Sequence, residues 1–76
     1  MNNEEQKQDL IVTKYIDTSI AQLCMQNTEG QNCLSDYFVR LLEQEIKFLS
    51  KNEKLKVIIM TGLPSVFSAG ANLETL

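Results

Sequence analysis

Apolar positions in this chain cluster into four runs separated by polar breaks. The first two, Leu10 to Tyr15 and Ser19 to Gln26, are short and rich in β-branched residues. Asp17-Thr18 lies between them and suits a tight turn, so the pair predicts a β-hairpin. Ile20, Leu23 and Met25 carry much of the second strand's bulk, and its imperfect alternation fits a strand covered on both faces. Asn27 to Asn32 (NTEGQN) is a polar loop with Gly30 as its breaker. From Leu34 to Ser50 the spacing becomes helical. Leu34, Phe38, Leu41, Leu42, Ile46, Phe48 and Leu49 share an arc of about half the wheel, and Asp36, Arg40, Glu43, Lys47 and Lys51 lie opposite. Ser35 suits the N-cap, and Asp36 suits the positive end of the helix dipole. Glu45 projects into the apolar arc. A buried catalytic carboxylate is the tempting reading, but a side chain near a helix end usually reaches water, and that reading is favoured. Lys51 to Lys56 is a charged connection whose lysines are solvated. Leu55 to Thr61 then predicts a buried strand.

The stretch from Val57 to Leu73 carries most of the information. Gly62 ends the apolar run, Pro64 marks a loop, and Phe67 is a large apolar anchor. Ser68-Ala69-Gly70-Ala71 is a run of small residues, and Asn72 is placed to cap a helix beginning at Leu73. A helix start leaves backbone N–H groups free to donate to an anion or a polarised carbonyl. Taken alone, the small residues are better explained by tight packing of a helix on a strand. Two phosphate loops are excluded. A Walker A loop requires a second glycine where Phe67 stands, with a lysine after it, and no lysine follows. A dinucleotide fingerprint requires G-x-G-x-x-G, and the only glycines are Gly30, Gly62 and Gly70.

Size and charge narrow the picture further. At 76 residues the chain is one small unit, marginal in stability without a staple. Cys24 and Cys33 could pair in principle, yet Met1 to Asp9 is unlike a signal or transit peptide, so reduced thiols are expected. There is no histidine, and two cysteines alone make a poor metal site. A net charge of −3, from ten acidic and seven basic side chains, argues against a nucleic-acid partner. No apolar run approaches the roughly 18 residues that span a bilayer, so no membrane partner is expected. Residues 1–9 read as a disordered lead, with a partner-docking tail as the alternative.

Phe67-Ser68-Ala69-Gly70-Ala71-Asn72-Leu73, preceded by a strand and Thr61-Gly62, resembles a segment of the enoyl-CoA hydratase/isomerase (crotonase) family. That family reads Phe-Ser-Ala-Gly-Ala-Asp-Leu there, so Asn72 stands where it usually has Asp. Gln31-Asn32-Cys33-Leu34-Ser35 resembles the family's Asn-Ala-Leu-Ser at the start of its first helix. The resemblance runs from about Ile11 to the last residue. It implies an α/β fold, the N-terminal part of a crotonase domain over residues 10–76, with hairpin, helix, strand and helix start in that order.

The resemblance also implies chemistry. Crotonase-family enzymes act on acyl thioesters by hydration or dehydration, isomerisation or decarboxylation, in settings such as fatty acid metabolism. The backbone N–H of Ala71 would be the first oxyanion-hole donor, and Gly70 would let the backbone approach the thioester. Ala69, Asn72 and Leu73 would line the substrate contact. Gln31 would lie nearest coenzyme A, where many members have a basic residue. The expected partner is an acyl-CoA or acyl-carrier-protein thioester. Coenzyme A or phosphopantetheine enters as part of that substrate, with no further cofactor. The family is cytoplasmic and usually trimeric or hexameric. Its second oxyanion donor and its acid/base carboxylates come from later segments, so these 76 residues are expected to be inactive alone. Gly62-Leu63-Pro64-Ser65-Val66-Phe67 is similar to a loop in crotonase homologues of bacterial polyketide β-branching. The alternative is a non-catalytic remnant or small interaction module that associates through its apolar helix face. A redox peptide based on Cys24 and Cys33 has little behind it.

Overall fold

The computed structural model describes residues 10–71. It contains β1 (Ile11–Asp17), β2 (Ile20–Met25), α1 (Asp36–Ser50) and β3 (Val57–Thr61). The strands form one sheet in the order β1-β2-β3. β1 runs antiparallel to β2, and β3 runs parallel to it. A parallel pair cannot be closed by a tight turn, and α1 supplies the crossover. This is the expected α/β arrangement. The expected lead at residues 1–9 and the helix start at Leu73 lie outside the described residues.

The hairpin closes through Thr18-Ser19, and Asp17 Oδ1 accepts from the Thr18 amide at 2.6 Å. The register shifts between Tyr15 and Asp17, which leaves Ile16 as an extra residue. Such a bulge lets β1 run past its expected end at Tyr15, and it leaves Ile16 exposed.

The strand alternation decides where the core lies. Ile11, Thr13 and Tyr15 pair with Met25, Leu23 and Ala21, and Ala21 and Leu23 pair with Ile58 and Met60. Residues directly opposite in a sheet share a face. Ala21, Leu23 and Met25 are buried on that face. Phe38 and Leu49 of α1 close over it, with Leu10, Ile11, Leu41, Leu42, Leu55 and Ile58 packed around them. Each large side chain so buried contributes roughly 1.5–3 kcal/mol. β2 therefore alternates regularly, and Ala21 takes a core position while Ile20 faces the other side, half-buried.

The helix begins two residues later than its apolar spacing suggests. Ser35 Oγ accepts from the Phe38 amide at 3.2 Å, which caps the helix at Asp36. Leu34 is not helical; it bridges to Ala71. Phe38, Leu41, Leu42 and Leu49 face the sheet, while Ile46 and Phe48 sit at the margins and are exposed. Glu45, in the middle of the arc, is neither free in water nor isolated in the core. It accepts from Thr13 Oγ1 of β1 at 2.6 Å and links helix to sheet. The α1–β3 connection is stitched to the hairpin: Asn52 Nδ2 donates to the Tyr15 hydroxyl at 3.1 Å, and the Lys56 amide to the Ser19 carbonyl at 2.8 Å.

One expectation changes. β3 is an edge strand rather than a buried one: Val57, Ile59 and Met60 are exposed, and Ile58 alone packs into the core cluster. Among the described residues no element covers its outer edge, and burial of a parallel strand requires neighbours on both sides. Of the apolar helix face, Phe38, Leu41, Leu42 and Leu49 pack on the sheet, while Leu34, Ile46 and Phe48 stay exposed.

Because Phe38 fills the centre of the core, Phe38→Ala is expected to cost about 3–5 kcal/mol. That is comparable with the whole stability of a small domain, so a urea titration should lose its cooperative transition. Phe48→Ala, at an exposed margin, should stay within about 0.5 kcal/mol of the parent.

Candidate functional site

β2 and β3 are parallel, with Cys24 opposite Thr61, so both strands end at the same edge of the sheet. The loops that leave this edge, after Met25 and after Thr61, carry the two motifs singled out in the sequence. In open parallel sheets this carboxyl edge is where ligands usually bind.

Asn32 organises the first loop. It is fully buried, at 0% exposure. Gln31 and Asn32 take φ values of 52° and 56°. The left-handed corner thus falls on these two residues rather than on Gly30, and asparagine tolerates it better than most. The Asn32 side chain is held on both its functions. Nδ2 donates to the Met25 and Phe67 carbonyls, each at 2.9 Å. Oδ1 accepts from the Asn27 amide at 2.8 Å. Its main-chain carbonyl accepts from Ser68 Oγ at 2.7 Å. One residue therefore joins the end of β2, its own loop and the loop after β3.

The second loop is shaped by close approach. A Cβ on Gly62 would lie 2.5 Å from both Cα and O of Phe67, so only glycine lets the chain fold back here. The Leu63 amide donates to the Val66 carbonyl at 2.9 Å and closes the turn. Phe67 anchors the loop through its carbonyl and not through its ring, which is 54% exposed. Ser68 Oγ also accepts from the Gly70 amide at 3.0 Å. The Ala69 amide donates to the Gln31 carbonyl at 2.9 Å, and the Leu34 amide to the Gly70 carbonyl at 2.8 Å.

Of the three amides from Ala69 to Ala71, these bonds leave one without an acceptor among the described residues. The amides of Ala69 and Gly70 are both committed. The Ala71 amide donates to no acceptor among the described residues, and Ala71 is exposed. Its direction is nevertheless set. The Gly70 carbonyl and the Ala71 N–H belong to one planar trans peptide and point opposite ways. With the carbonyl turned towards Leu34, the N–H is turned away from it. Gly70 has φ +96°, and a Cβ built on it would meet nothing within 4 Å. No described residue fills the space beside the Gly70 Cα.

The Ala69–Gln31 and Leu34–Gly70 bonds thus bring the two loops together. Asn72 and Leu73 lie outside the described residues. Asn32 and Ser68, which hold the arrangement, were not singled out as functional from the sequence. Their signal is slight: an asparagine at the end of a polar loop, and a serine in a run of small residues. Cys24 and Cys33 are both free and half-buried. Among the described residues no group of three or more His, Cys, Asp or Glu is placed to hold a metal ion. No helix there is long and apolar enough to cross a membrane.

The comparisons with known proteins follow the same lines. The family model for enoyl-CoA hydratase/isomerase matches residues 15–76. A search of curated proteins finds no match. Among solved structures, the chain is similar to one from a dehydratase/decarboxylase enzyme couple involved in polyketide β-branching, at 28% identity and a TM-score of 0.77. It is similar to the ECH2 decarboxylase domain of CurF from Lyngbya majuscula, at 26% identity and a TM-score of 0.77. It also shares the fold of an enoyl-CoA hydratase from Bacillus anthracis, at 23% identity and a TM-score of 0.74. These alignments cover 86%, 87% and 86% of this chain, which spans only 29%, 27% and 26% of the respective structures.

The two glycines of the second loop should respond differently to an added methyl. Gly70→Ala meets no atom and should cost only the backbone strain of a positive φ, about 1–2 kcal/mol. Gly62→Ala must displace the Phe67 backbone, and with it a carbonyl that Asn32 holds, so its cost should be the larger. Urea titration of both variants checks the order, and equal or reversed costs would contradict this loop geometry.

Proposed function

The chain belongs to the enoyl-CoA hydratase/isomerase family, and on that premise we propose that its Phe67–Ala71 turn presents one backbone N–H of an oxyanion hole to the carbonyl of an acyl thioester. The observation that carries this reading is the Ala71 amide: it is exposed and uncommitted among the described residues, while the Ala69 and Gly70 amides before it are tied down. A fixed donor of this kind strengthens as negative charge grows on the carbonyl oxygen, because it needs no reorganisation when the charge appears. In other enzymes one such donor is worth roughly 3–4 kcal/mol. The absence of a Cβ on Gly70 supports the reading, since the thioester has open space to approach.

Gln31 lies against Ala69 through its carbonyl and has an exposed side chain. We place it beside the coenzyme A or phosphopantetheine portion of the substrate. Being neutral, it offers hydrogen bonds there but no charge to a phosphate. Two features favour an acyl-carrier substrate and a dehydration or decarboxylation in polyketide β-branching. One is the loop Gly62-Leu63-Pro64-Ser65-Val66-Phe67. The other is the polyketide β-branching or decarboxylase role of two similar structures. A trimeric or hexameric assembly and a cytoplasmic setting fit the family as a whole.

The reaction requires more than one donor. A second N–H must share the oxyanion, and a positioned acid or base must move the proton. Neither role is assigned to any residue described here, so the 76-residue chain should not hydrate crotonyl-CoA by itself.

Titration of the 15N-labelled chain tests the donor role. Crotonyl-CoA should move the Ala71 amide resonance downfield, and free coenzyme A, which has no acyl carbonyl, should not. Equal shifts with both would overturn the reading, and catalysed hydration by the chain alone would overturn its incompleteness. Gln31→Lys should tighten binding of crotonyl-CoA by about two- to fivefold at low salt, an effect that salt removes. A pantetheine thioester lacking the nucleotide phosphates should gain nothing.

A further inference from the structure

The direction of the Ala71 amide is not a local property of the chain. It follows Gly70, and glycine is the residue least able to hold one backbone conformation by itself. Something outside the turn must therefore hold both peptide planes that flank Gly70. The Ala69–Gly70 plane is held by the Gly70 amide on Ser68 Oγ, at 3.0 Å. The Gly70–Ala71 plane is held by the Leu34 amide on the Gly70 carbonyl, at 2.8 Å. Both holds lead back to one residue. Ser68 Oγ is itself fixed by donating to the Asn32 carbonyl at 2.7 Å, and Leu34 lies two residues beyond Asn32.

We propose that Asn32, acting with Ser68, is a positioning residue that aims the Ala71 N–H, an inference that rests on the donor role given to Ala71 above. The chemistry of the site requires an amide. One –NH2 group collects the Met25 and Phe67 carbonyls, and the oxygen of the same amide takes the Asn27 N–H. This sets the separation between the end of β2 and the start of the second turn. An aspartate would turn a carboxylate oxygen towards two carbonyls. An alanine would leave two carbonyls and an N–H unpaired in a fully buried position. Asn32 does not itself face the open space at Gly70. It acts through the backbone, and its effect on a substrate passes entirely through the angle of one N–H bond.

The test measures that angle directly. Residual dipolar couplings of the 15N-labelled chain report N–H directions, and a crotonyl-CoA titration on the same samples reports binding. Ser68→Ala should leave the couplings of β1, β2 and α1 unchanged and alter that of Ala71. It should raise the Kd for crotonyl-CoA about tenfold, the loss of roughly one hydrogen bond. Asn32→Asp should do the same at neutral pH. On acidification it should regain part of the binding, because a protonated carboxyl again offers one donor. A purely structural contact would lower stability without turning the Ala71 bond. An unchanged Ala71 coupling with unchanged Kd in folded Ser68→Ala overturns the proposal, and Ser68→Ala remains decisive if Asn32→Asp does not fold. A wild-type Ala71 amide that ignores crotonyl-CoA overturns the donor role, and the inference with it, by a different readout from the couplings.

Discussion

The carboxyl edge of this sheet depends on one buried amide. Asn32 is the only buried polar side chain among the described residues, and its hydrogen bonds join Met25, Asn27 and Phe67. A polar group in that position is costly unless it is satisfied, by about 1–3 kcal/mol for each unpaired partner. Satisfied, it specifies one arrangement. Both loops must come to the same nitrogen and oxygen, and neither can slide without leaving an orphan. Hydrophobic packing has no such angular demand. The apolar cluster of Leu23, Met25, Phe38 and Leu49 brings helix and sheet together; the amide decides how the loops beyond them meet.

The rest of the fold makes that meeting possible. β2 and β3 must be parallel for both loops to leave the same edge, and α1 must be long enough to return the chain across the sheet. The Ser35 cap starts the helix only after Leu34 has paired with Ala71, so the first motif serves both as a cap and as a strap. The Thr13–Glu45 bond couples helix and sheet at the level of Leu23, through a carboxylate that has a structural partner. What the described residues leave uncovered is the β3 side of the sheet, where Val57, Ile59 and Met60 are exposed.

Much of this was legible in the sequence because it is local. The hairpin follows from two β-branched runs and a short polar link, and the cap from Ser35 ahead of an apolar arc. That Gln31 and Ala69–Ala71 serve one substrate was expected from the likeness of two motifs to one family; the bond between Ala69 and Gln31 was not. What remained hidden depends on residues far apart in the chain. Asn32 reads as one more polar loop residue until Phe67, 35 positions later, is placed against it. Phe67 reads as an apolar anchor because its ring is large, yet its carbonyl holds the turn. Val57 to Met60 reads as a buried strand because burial is inferred from composition, whereas exposure depends on which neighbours are present.

The proposed chemistry depends on the Ala71 N–H, which has no acceptor among the described residues. Chemical synthesis allows the Ala71 amide to be replaced by an ester, which removes that hydrogen and weakens the Gly70 carbonyl as the acceptor of the Leu34 amide. The ester chain should therefore unfold at a slightly lower urea concentration than the parent, and binding is compared where both are folded. If a thioester carbonyl uses the Ala71 N–H, the ester chain should bind crotonyl-CoA about tenfold more weakly. A folded ester chain that binds as well as the parent would mean the carbonyl does not use it, and would contradict the assignment.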